Sequence, residues 1–146
     1  MTGIALLDVN VLVALFDPDH VHHEPAHEWF SANRERGWAT CPLTENGLVR
    51  ILSNTAYTGI HETTAMVLRR LDTFCSSGNH TFWTDHLSLR DEHRFKLAAG
   101  SHAQITDIYL LGVAVDHDGR LATFDRRIPL RAVEGAMDEQ LAVIPV

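Results

Sequence analysis

Short runs of apolar residues alternate along the chain with longer stretches in which apolar residues recur every three or four positions. A short apolar run between polar residues is typical of a buried strand, and the longer spacing is typical of a helix that packs on one face. The runs predict strands at "GIALL", "WATC", "HTFWT", "RLATF" and "LAVIPV". Helical patterns lie between them, so the sequence predicts an α/β fold around a mostly parallel sheet.

The predicted helices differ in how clearly the pattern marks them. "VNVLVALF" predicts a helix or a tight turn that enters one, and a helix from Pro25 to Arg36 would end at Gly37. "PLTENGLVRILS" predicts a helix with Thr44 as its N-cap. The clearest pattern is "HETTAMVLRRLDTFCSS", and "ITDIYLLGVAVDHDG" predicts a helix that ends in a turn. The polar region from Asp85 to Gly100 is predicted to be helical in part.

Composition narrows the class of protein. The 146 residues are predicted to form one domain, 1–146, and the content of 45% apolar and 21% charged residues is ordinary for a globular protein. No apolar run reaches the roughly 18 residues that cross a bilayer. The N-terminus lacks the basic segment and cleavage site of a secretion signal, so we expect a cytoplasmic protein with no membrane partner. Cys41 and Cys75 are far apart in apolar stretches and predict neither a metal nor a redox motif.

The net charge of −7 argues against nucleic-acid binding through a generally basic surface, although bound metal ions can supply positive charge locally. Eleven of the twelve basic residues are arginines, whose planar side chains suit phosphate, and only Lys96 is a lysine. Arginine pairs occur at Arg69–Arg70 and Arg126–Arg127. Such pairs are more often solvated surface than ligand contacts.

Four acids stand where the pattern predicts buried positions. Glu45 and Asp107 each begin the core-facing stripe of a predicted helix, and an unpaired charge there is costly. Asp8 and Asp125 follow predicted buried strands, at the sheet edge where α/β proteins form ligand sites. Four carboxylates in one place repel unless they are protonated or bridged by cations, and hard ions such as Mg²⁺ or Mn²⁺ prefer oxygen ligands. Taken singly, each acid is more simply explained as a helix cap, a dipole partner or a turn residue.

The segments "ALLDVNVLVALF", "PLTENGLVRIL", "ITDIYLLGVAV" and "RLATFD" resemble the PIN-domain ribonucleases, and within them the VapC-type toxins of bacterial toxin–antitoxin pairs. The segments occur in the family's order and span nearly the whole chain. The resemblance implies a three-layer α/β fold and hydrolysis of RNA phosphodiester bonds with Mg²⁺ or Mn²⁺. It also implies a homodimer and a small VapB-type antitoxin that covers the acidic pocket.

Carried over residue by residue, the resemblance makes four acids the catalytic set: Asp8, Glu45, Asp107 and Asp125. Asp8 and Asp107 are expected to be direct metal ligands. Asp125 and Glu45 would hold a second ion or orient the attacking water, with Asp125 counted among the metal-binding residues. Asn10, Thr123 and Arg50 match supporting positions. Family members often have Thr or Ser after the first Asp, and this chain has Val9 instead, so a hydroxyl contact is missing there.

A competing signal is "HEPAH", His23 to His27, which matches the H-E-x-x-H pattern of zinc peptidases. Both histidines would have to lie in one continuous helix, and Pro25 is disfavoured inside a helix. Pro25 fits the first helical turn, which would leave His23 outside the helix. The cluster of His20, His22, His23 and His27 is therefore predicted to be a solvated loop and helix start. The remaining histidines are predicted to be surface residues: His61, His80, His86, His93, His102 and His117. Asp116 is expected in a turn but could approach the acidic site.

Three other functions remain open. A dehalogenase-type phosphatase would need a second aspartate where Asn10 stands, and room for a cap domain. A non-catalytic α/β binding module would not need acids on buried stripes. A PIN-domain nuclease that acts in RNA processing, outside a toxin–antitoxin pair, is the strongest of the three.

Overall fold

The computed structural model describes residues 2–57 and 62–146. In these ranges five strands form one parallel sheet: β1 (Ala5–Leu7), β2 (Trp38–Thr40), β3 (His80–Phe82), β4 (Arg120–Thr123) and β5 (Leu141–Val143). Their order across the sheet is β3-β2-β1-β4-β5. The α/β fold predicted from the sequence is confirmed, and every strand pair in the sheet is parallel.

Five α-helices occur in the same described ranges: α1 (Val9–Phe16), α2 (His23–Asn33), α3 (Pro42–Leu52), α4 (Thr64–Cys75) and α5 (Ile105–Asp116). Short 3₁₀ turns connect several elements, including Arg34–Arg36 after α2 and His102–Gln104 before α5. None of the helices in the described ranges has the length and apolar character to cross a membrane.

Both faces of the sheet are covered, because alternate residues of each buried strand contribute to different cores. Ala5 and Leu7 of β1 pack with α1 to α4, and Leu6 packs with α5 on the opposite face. The central strands are apolar on both sides for this reason, as expected for parallel sheets covered by helices. The layers are therefore helices, sheet and helix.

The order of the strands creates a crevice between β1 and β4. The chain adds β2 and β3 on one side of β1, then returns to place β4 and β5 on the other. Ligand sites in open α/β sheets lie at such a reversal, outside the carboxyl ends of the strands. Asp8 follows β1 and Asp125 lies just beyond β4, so the crevice lies between two of the predicted acids.

Two predicted helix boundaries were wrong, and a third falls partly outside the described residues. α2 begins at His23 and not at Pro25, since a proline within the first turn removes no helical hydrogen bond. The N-cap of α3 is Cys41, and the Thr44 hydroxyl accepts a hydrogen bond from the Cys41 N–H at 3.0 Å from inside the first turn. The start of the predicted helix "HETTAMVLRRLDTFCSS" includes His61, which lies outside the described residues; α4 begins at Thr64.

The region from Asp85 to Gly100 contains no α-helix. It consists of turns, a short 3₁₀ turn at Leu97–Ala99 and a single antiparallel bridge between Phe95 and Val133. Tyr109 anchors the start of this segment by donating its hydroxyl to the carbonyl oxygens of Asp85 and Leu87. The segment packs through single side chains such as the buried Phe95, and not through a continuous helical face.

Candidate functional site

A cavity of about 500 Å³ opens at the carboxyl ends of β1 and β4, beside the first turn of α5. Three of the four predicted acids line it, namely Asp8, Asp107 and Asp125. The other residues around it are Asn10, Thr123, Phe124, Arg126 and Arg127. The sequence prediction that strand ends and a helix start bring these three carboxylates together is therefore supported by the geometry.

Asp8 is the most deeply buried of the three acids, with 4% of its surface exposed. It occupies the N-cap position of α1, but its side chain makes no capping hydrogen bond. Instead its Oδ2 accepts a hydrogen bond from the Thr123 hydroxyl at 3.0 Å, across the β1–β4 boundary. The Asp8 side chain therefore does not cap α1, and helix capping does not explain why an acid is buried here.

Electrostatics in the cavity favour protonation of Asp8. Burial, followed by the nearby charge of Asp107, raises the pKa of Asp8 to about 6, against the lowering effect of the Thr123 hydrogen bond. The pKa of Asp107 is raised as well, first by burial and then by Asp125. Two neighbouring carboxylates repel each other when both are ionised, and a cation bound between them offsets this repulsion.

Asp125 is the carboxylate with the most direct cationic partner. Its Oδ1 accepts hydrogen bonds from the Arg127 backbone N–H at 2.8 Å and from Arg127 Nε at 3.2 Å. The Asp125 N–H donates to the Thr123 hydroxyl, so Thr123 links Asp8 to Asp125. Asp125 Oδ1 is thus occupied by Arg127.

The donor set suits a hard divalent cation. Every side chain around the cavity that can act as a metal ligand offers an oxygen atom. These atoms belong to carboxylates, a hydroxyl and the Asn10 amide. Mg²⁺ and Mn²⁺ prefer such ligands, whereas Zn²⁺ favours nitrogen and sulfur. A bound cation would also offset the mutual repulsion that raises the pKa of Asp8.

Glu45 lies in a different place from the other three acids. It lines a separate cavity of about 630 Å³ with Arg50, Asn46 and residues of α3 and α4. Its Oε2 accepts a hydrogen bond from the Thr40 hydroxyl at 2.6 Å, at the end of β2. The structure therefore brings three members of the predicted catalytic set together and leaves Glu45, with the predicted supporting residue Arg50, one strand away.

One residue beside Glu45 was misread from the sequence, and a second lies in a grouping that the sequence did not signal. His80 was predicted to be a surface residue, but it is half-buried and its Nε2 lies 2.8 Å from the Thr40 hydroxyl. Cys75 was assigned to no metal motif, yet its sulfur lies within 4.8 Å of ligand atoms of both Glu45 and His80. No local spacing signals this cluster, because α3, α4 and β3 supply one residue each.

The "HEPAH" histidines hold the end of α1. His23 Nδ1 lies 2.7 Å from the Ala14 carbonyl oxygen, and His27 Nε2 lies 3.1 Å from that of Leu15. These contacts satisfy carbonyl groups that a helix end leaves without partners. His23 lies inside α2, contrary to the prediction. Within residues 2–57 and 62–146 the grouping of possible metal ligands is Glu45, Cys75 and His80, so no third ligand completes a zinc-peptidase site here.

The suggestion that Asp116 could approach the acidic site was wrong. Asp116 ends α5, the helix that Asp107 begins, so the two residues lie at opposite ends. Its carboxylate pairs with Arg94 Nη1 at 3.2 Å and lies 3.7 Å from His86 Nε2.

Arg126 and Arg127 line the acidic cavity, although the sequence analysis did not distinguish this arginine pair from Arg69–Arg70. Both are exposed at the mouth of the cavity. The available signal was their position directly after Asp125. Two exposed guanidinium groups at the rim of an acidic cavity can attract a phosphate group toward a bound cation.

The chain is a parallel α/β protein whose carboxylates converge where the strand order reverses, which is where such proteins form ligand sites. The PIN domain family model matches residues 5–135, and the chain belongs to this family. The resemblance identified in the sequence is thereby confirmed.

Similar proteins from Mycobacterium tuberculosis carry ribonuclease names. The chain is 44% identical to Ribonuclease VapC44 over 144 residues, which cover 96% of this chain and 99% of the relative. It is 40% identical to Ribonuclease VapC39 over 141 residues, covering 92% and 97%. It is 44% identical to Ribonuclease VapC38 over 122 residues, covering 84% and 85%.

Proposed function

We propose that residues 1–146 form one PIN nuclease domain that acts as a divalent-metal-dependent endoribonuclease, the toxin of a VapBC-type pair. The observation that carries this proposal is the cavity between β1 and β4, where the buried Asp8 and the half-buried Asp107 and Asp125 converge. Membership of the PIN family and the ribonuclease names of its relatives supply the reaction class.

Asp8 and Asp107 are the proposed direct ligands of Mg²⁺ or Mn²⁺. Burial raises the pKa of both carboxyl groups first, and the neighbouring carboxylates raise it further; a cation would offset this second contribution. Asp125 is the proposed third metal-binding residue, through Oδ2 or through ordered water, because Arg127 occupies Oδ1. When bound, the metal would lower the pKa of water and stabilise charge on the scissile phosphate.

The protein itself supplies orientation. Thr123 fixes the Asp8 carboxylate and receives the Asp125 N–H, so one hydroxyl sets the spacing of two proposed ligands. Asn10, which is exposed at the rim, can donate hydrogen bonds to a phosphate oxygen or a ribose hydroxyl. Arg126 and Arg127 are placed to bind the phosphates that flank the scissile bond.

Glu45 stays in the proposed catalytic set, although in this structure its carboxylate accepts a hydrogen bond from the Thr40 hydroxyl. It lies in the first turn of α3 at the same carboxyl edge of the sheet as the acidic cavity. A side-chain rotation away from Thr40 is required for it to orient the attacking water. Arg50, one turn further along α3, is the proposed supporting residue for this position.

The test is cleavage of a mixed pool of structured RNAs by the purified chain with Mg²⁺, with Mn²⁺ and with chelator. Asp8→Asn and Asp107→Asn should abolish metal-dependent cleavage. Asp19→Asn, a matched change at an exposed acid, should leave cleavage as in the wild type. His27→Ala should also retain cleavage, since His27 contacts only the end of α1 among the hydrogen bonds described for it. Metal-independent cleavage, or activity in Asp8→Asn, would contradict the proposal.

The partners follow from the same proposal: RNA as substrate, a second copy of the chain in a homodimer, and a small VapB-type antitoxin in the cytoplasm. Purified chain should show twice the monomer mass by light scattering. A small protein encoded beside this gene should bind the chain and inhibit cleavage. If no neighbouring protein binds while metal-dependent cleavage persists, the enzyme would act outside a toxin–antitoxin pair.

A further inference from the structure

A second group of metal-ligand side chains lies one strand away from the acidic cavity. Glu45 from the first turn of α3, Cys75 from the end of α4 and His80 from the start of β3 each offer one ligand atom. These three atoms all lie within 4.8 Å of one another. We propose that Glu45, Cys75 and His80 bind one Zn²⁺ ion, at a site distinct from the three-aspartate cavity.

The donor chemistry selects the metal. A thiolate, an imidazole and a carboxylate are ligands that Zn²⁺ accepts together, usually with a fourth position left to water or another group. Mg²⁺ binds all-oxygen sites and gains little from sulfur. The two sites of this molecule therefore differ in kind: oxygen donors around Asp8, and mixed sulfur, nitrogen and oxygen donors around Glu45.

The distances leave room for a small closure. Zn²⁺ binds sulfur at about 2.3 Å and nitrogen or oxygen at about 2.0–2.2 Å, so tetrahedral ligand atoms lie roughly 3.3–3.8 Å apart. The group must contract by about 1 Å from its upper limit of 4.8 Å.

The surroundings hold two of the three ligands in place. The buried Thr40 hydroxyl lies 2.6 Å from Glu45 Oε2 and 2.8 Å from His80 Nε2, so one group orients both. The ring of Trp38 packs against that of His80 with centroids 4.6 Å apart. Hydrogen-bonded second neighbours of this kind fix the orientation of metal ligands.

Charge balance also favours a divalent ion. Glu45 carries a negative charge beside the half-buried Cys75 thiol. Zn²⁺ would displace the thiol proton into solvent, and the resulting thiolate and carboxylate would exactly balance its two positive charges. A half-buried cluster of neutral net charge is less costly than a lone half-buried carboxylate.

Occupation of this site has a consequence for catalysis, and this part rests on the proposed function. A Zn²⁺ ion bound to Glu45 keeps its carboxylate at β2 and β3, away from the cavity between β1 and β4. Zn²⁺ is therefore expected to inhibit RNA cleavage even when Mg²⁺ is in excess. The chain would be a nuclease that one metal activates and another restrains.

Binding is tested with Co²⁺, which replaces Zn²⁺ and gives a sulfur-to-metal charge-transfer absorption band only when a thiolate is bound. The full-length chain, freed of metal and supplied with excess Mg²⁺, should show this band at one Co²⁺ per chain and lose it when Zn²⁺ is added. Cys75→Ser should abolish the band, and Thr40→Val should weaken metal binding about 10- to 100-fold. Cys41→Ala changes the other cysteine and should keep the band, as should Asp8→Asn.

The outcomes separate this proposal from the nuclease function. A band that is absent from the wild type, or that survives Cys75→Ser, overturns the zinc site whatever the RNA assay shows. A band with no RNA cleavage under any condition leaves the zinc site standing and removes the proposed function. Where both are present, the ratio of cleavage rates with and without Zn²⁺ should return to one in Cys75→Ser. An unchanged ratio in that variant would overturn the regulatory part.

Discussion

At the scale of single residues, Asp8 carries most of the electrostatic cost of the acidic cavity. It is almost completely buried, and its side chain receives one hydroxyl hydrogen bond, from Thr123. An ionised aspartate in such surroundings weakens the fold, and the proposed metal ion would offset this cost. Stability and ligand binding are therefore coupled through this carboxylate.

Asp8→Asn should stabilise the metal-free protein at pH 7.5. The pKa of Asp8 is raised from 3.8 to about 6, so the folded chain binds more protons than the unfolded chain between these values, and stability falls as pH rises through them. The shift corresponds to at most about 3 kcal/mol, and Asn removes this loss. Urea unfolding in chelator should show the variant more stable at pH 7.5 and nearly equal to wild type below pH 4. Equal stability at pH 7.5 would contradict the assigned shift.

Thr123→Val should weaken metal binding and RNA cleavage about tenfold or more, whereas Thr123→Ser should retain most of both. Valine keeps the shape but removes the hydroxyl that donates to Asp8 and accepts the Asp125 N–H. Serine keeps the hydroxyl. Calorimetric titration with Mn²⁺ measures the effect directly. Equal affinities for the Val and Ser variants would show that the hydroxyl does not position Asp8.

At the scale of elements, α1 and α3 cross closely because residue 47 has no side chain. A Cβ at Gly47 would lie 2.8 Å from Val9 Cγ2 and 3.0 Å from Val9 Cγ1. Val9 is the residue between Asp8 and Asn10, so this contact sets the position of α1 against the helix that carries Glu45. Position 9, where family members often have Thr or Ser, thus contributes a packing contact in this chain instead of a hydroxyl.

Gly47→Ala should lower the free energy of unfolding by roughly 1–3 kcal/mol, because the β-branched Val9 cannot rotate away without strain. Adding Val9→Ala should recover part of this loss. The double-mutant cycle, measured by urea unfolding, should give a coupling energy of at least about 0.5 kcal/mol. Strictly additive effects would show that the two side chains do not meet.

The pattern of apolar residues predicted the strands and helices better than it predicted which residues of different elements lie side by side. All five strands were predicted because apolar runs on both faces of a sheet leave a local trace, and three of the acids stood at strand or helix ends. The boundaries of α2 and α3 were missed because proline and Thr44 act within the first turn. The Glu45–Cys75–His80 group was not predicted from the sequence. It depends on β2 and β3 being adjacent, and no local spacing of residues indicates that.

At the scale of the whole molecule, a net charge of −7 must be reconciled with the proposed binding of RNA, a polyanion. The arginines at the mouth of the acidic cavity provide positive charge where the proposed substrate enters. Binding would then depend on a few phosphate contacts and on the metal, and not on a broad basic surface.

Replacing both Arg126 and Arg127 with Gln should weaken RNA binding and make its salt dependence shallower. Each lost phosphate contact lowers the slope of log K against log salt by about one. The matched control replaces Arg69 and Arg90, two exposed arginines outside this cavity, with Gln. Filter binding with catalytically inactive Asp107→Asn as background measures both slopes. Identical slopes for the two pairs would remove the proposed role of Arg126 and Arg127.

The β1–β4 pairing joins strands from opposite ends of the chain, and the Thr123–Asp8 hydrogen bond spans 115 positions. During synthesis the ribosome releases β1 early, but the partner that completes the cavity emerges only after nearly the whole message has been translated. A half-finished chain has Asp8 but neither α5 nor β4, so it contains no assembled cavity. The three carboxylates of the cavity would therefore come together only when translation is almost over, because of the order in which the strands are made.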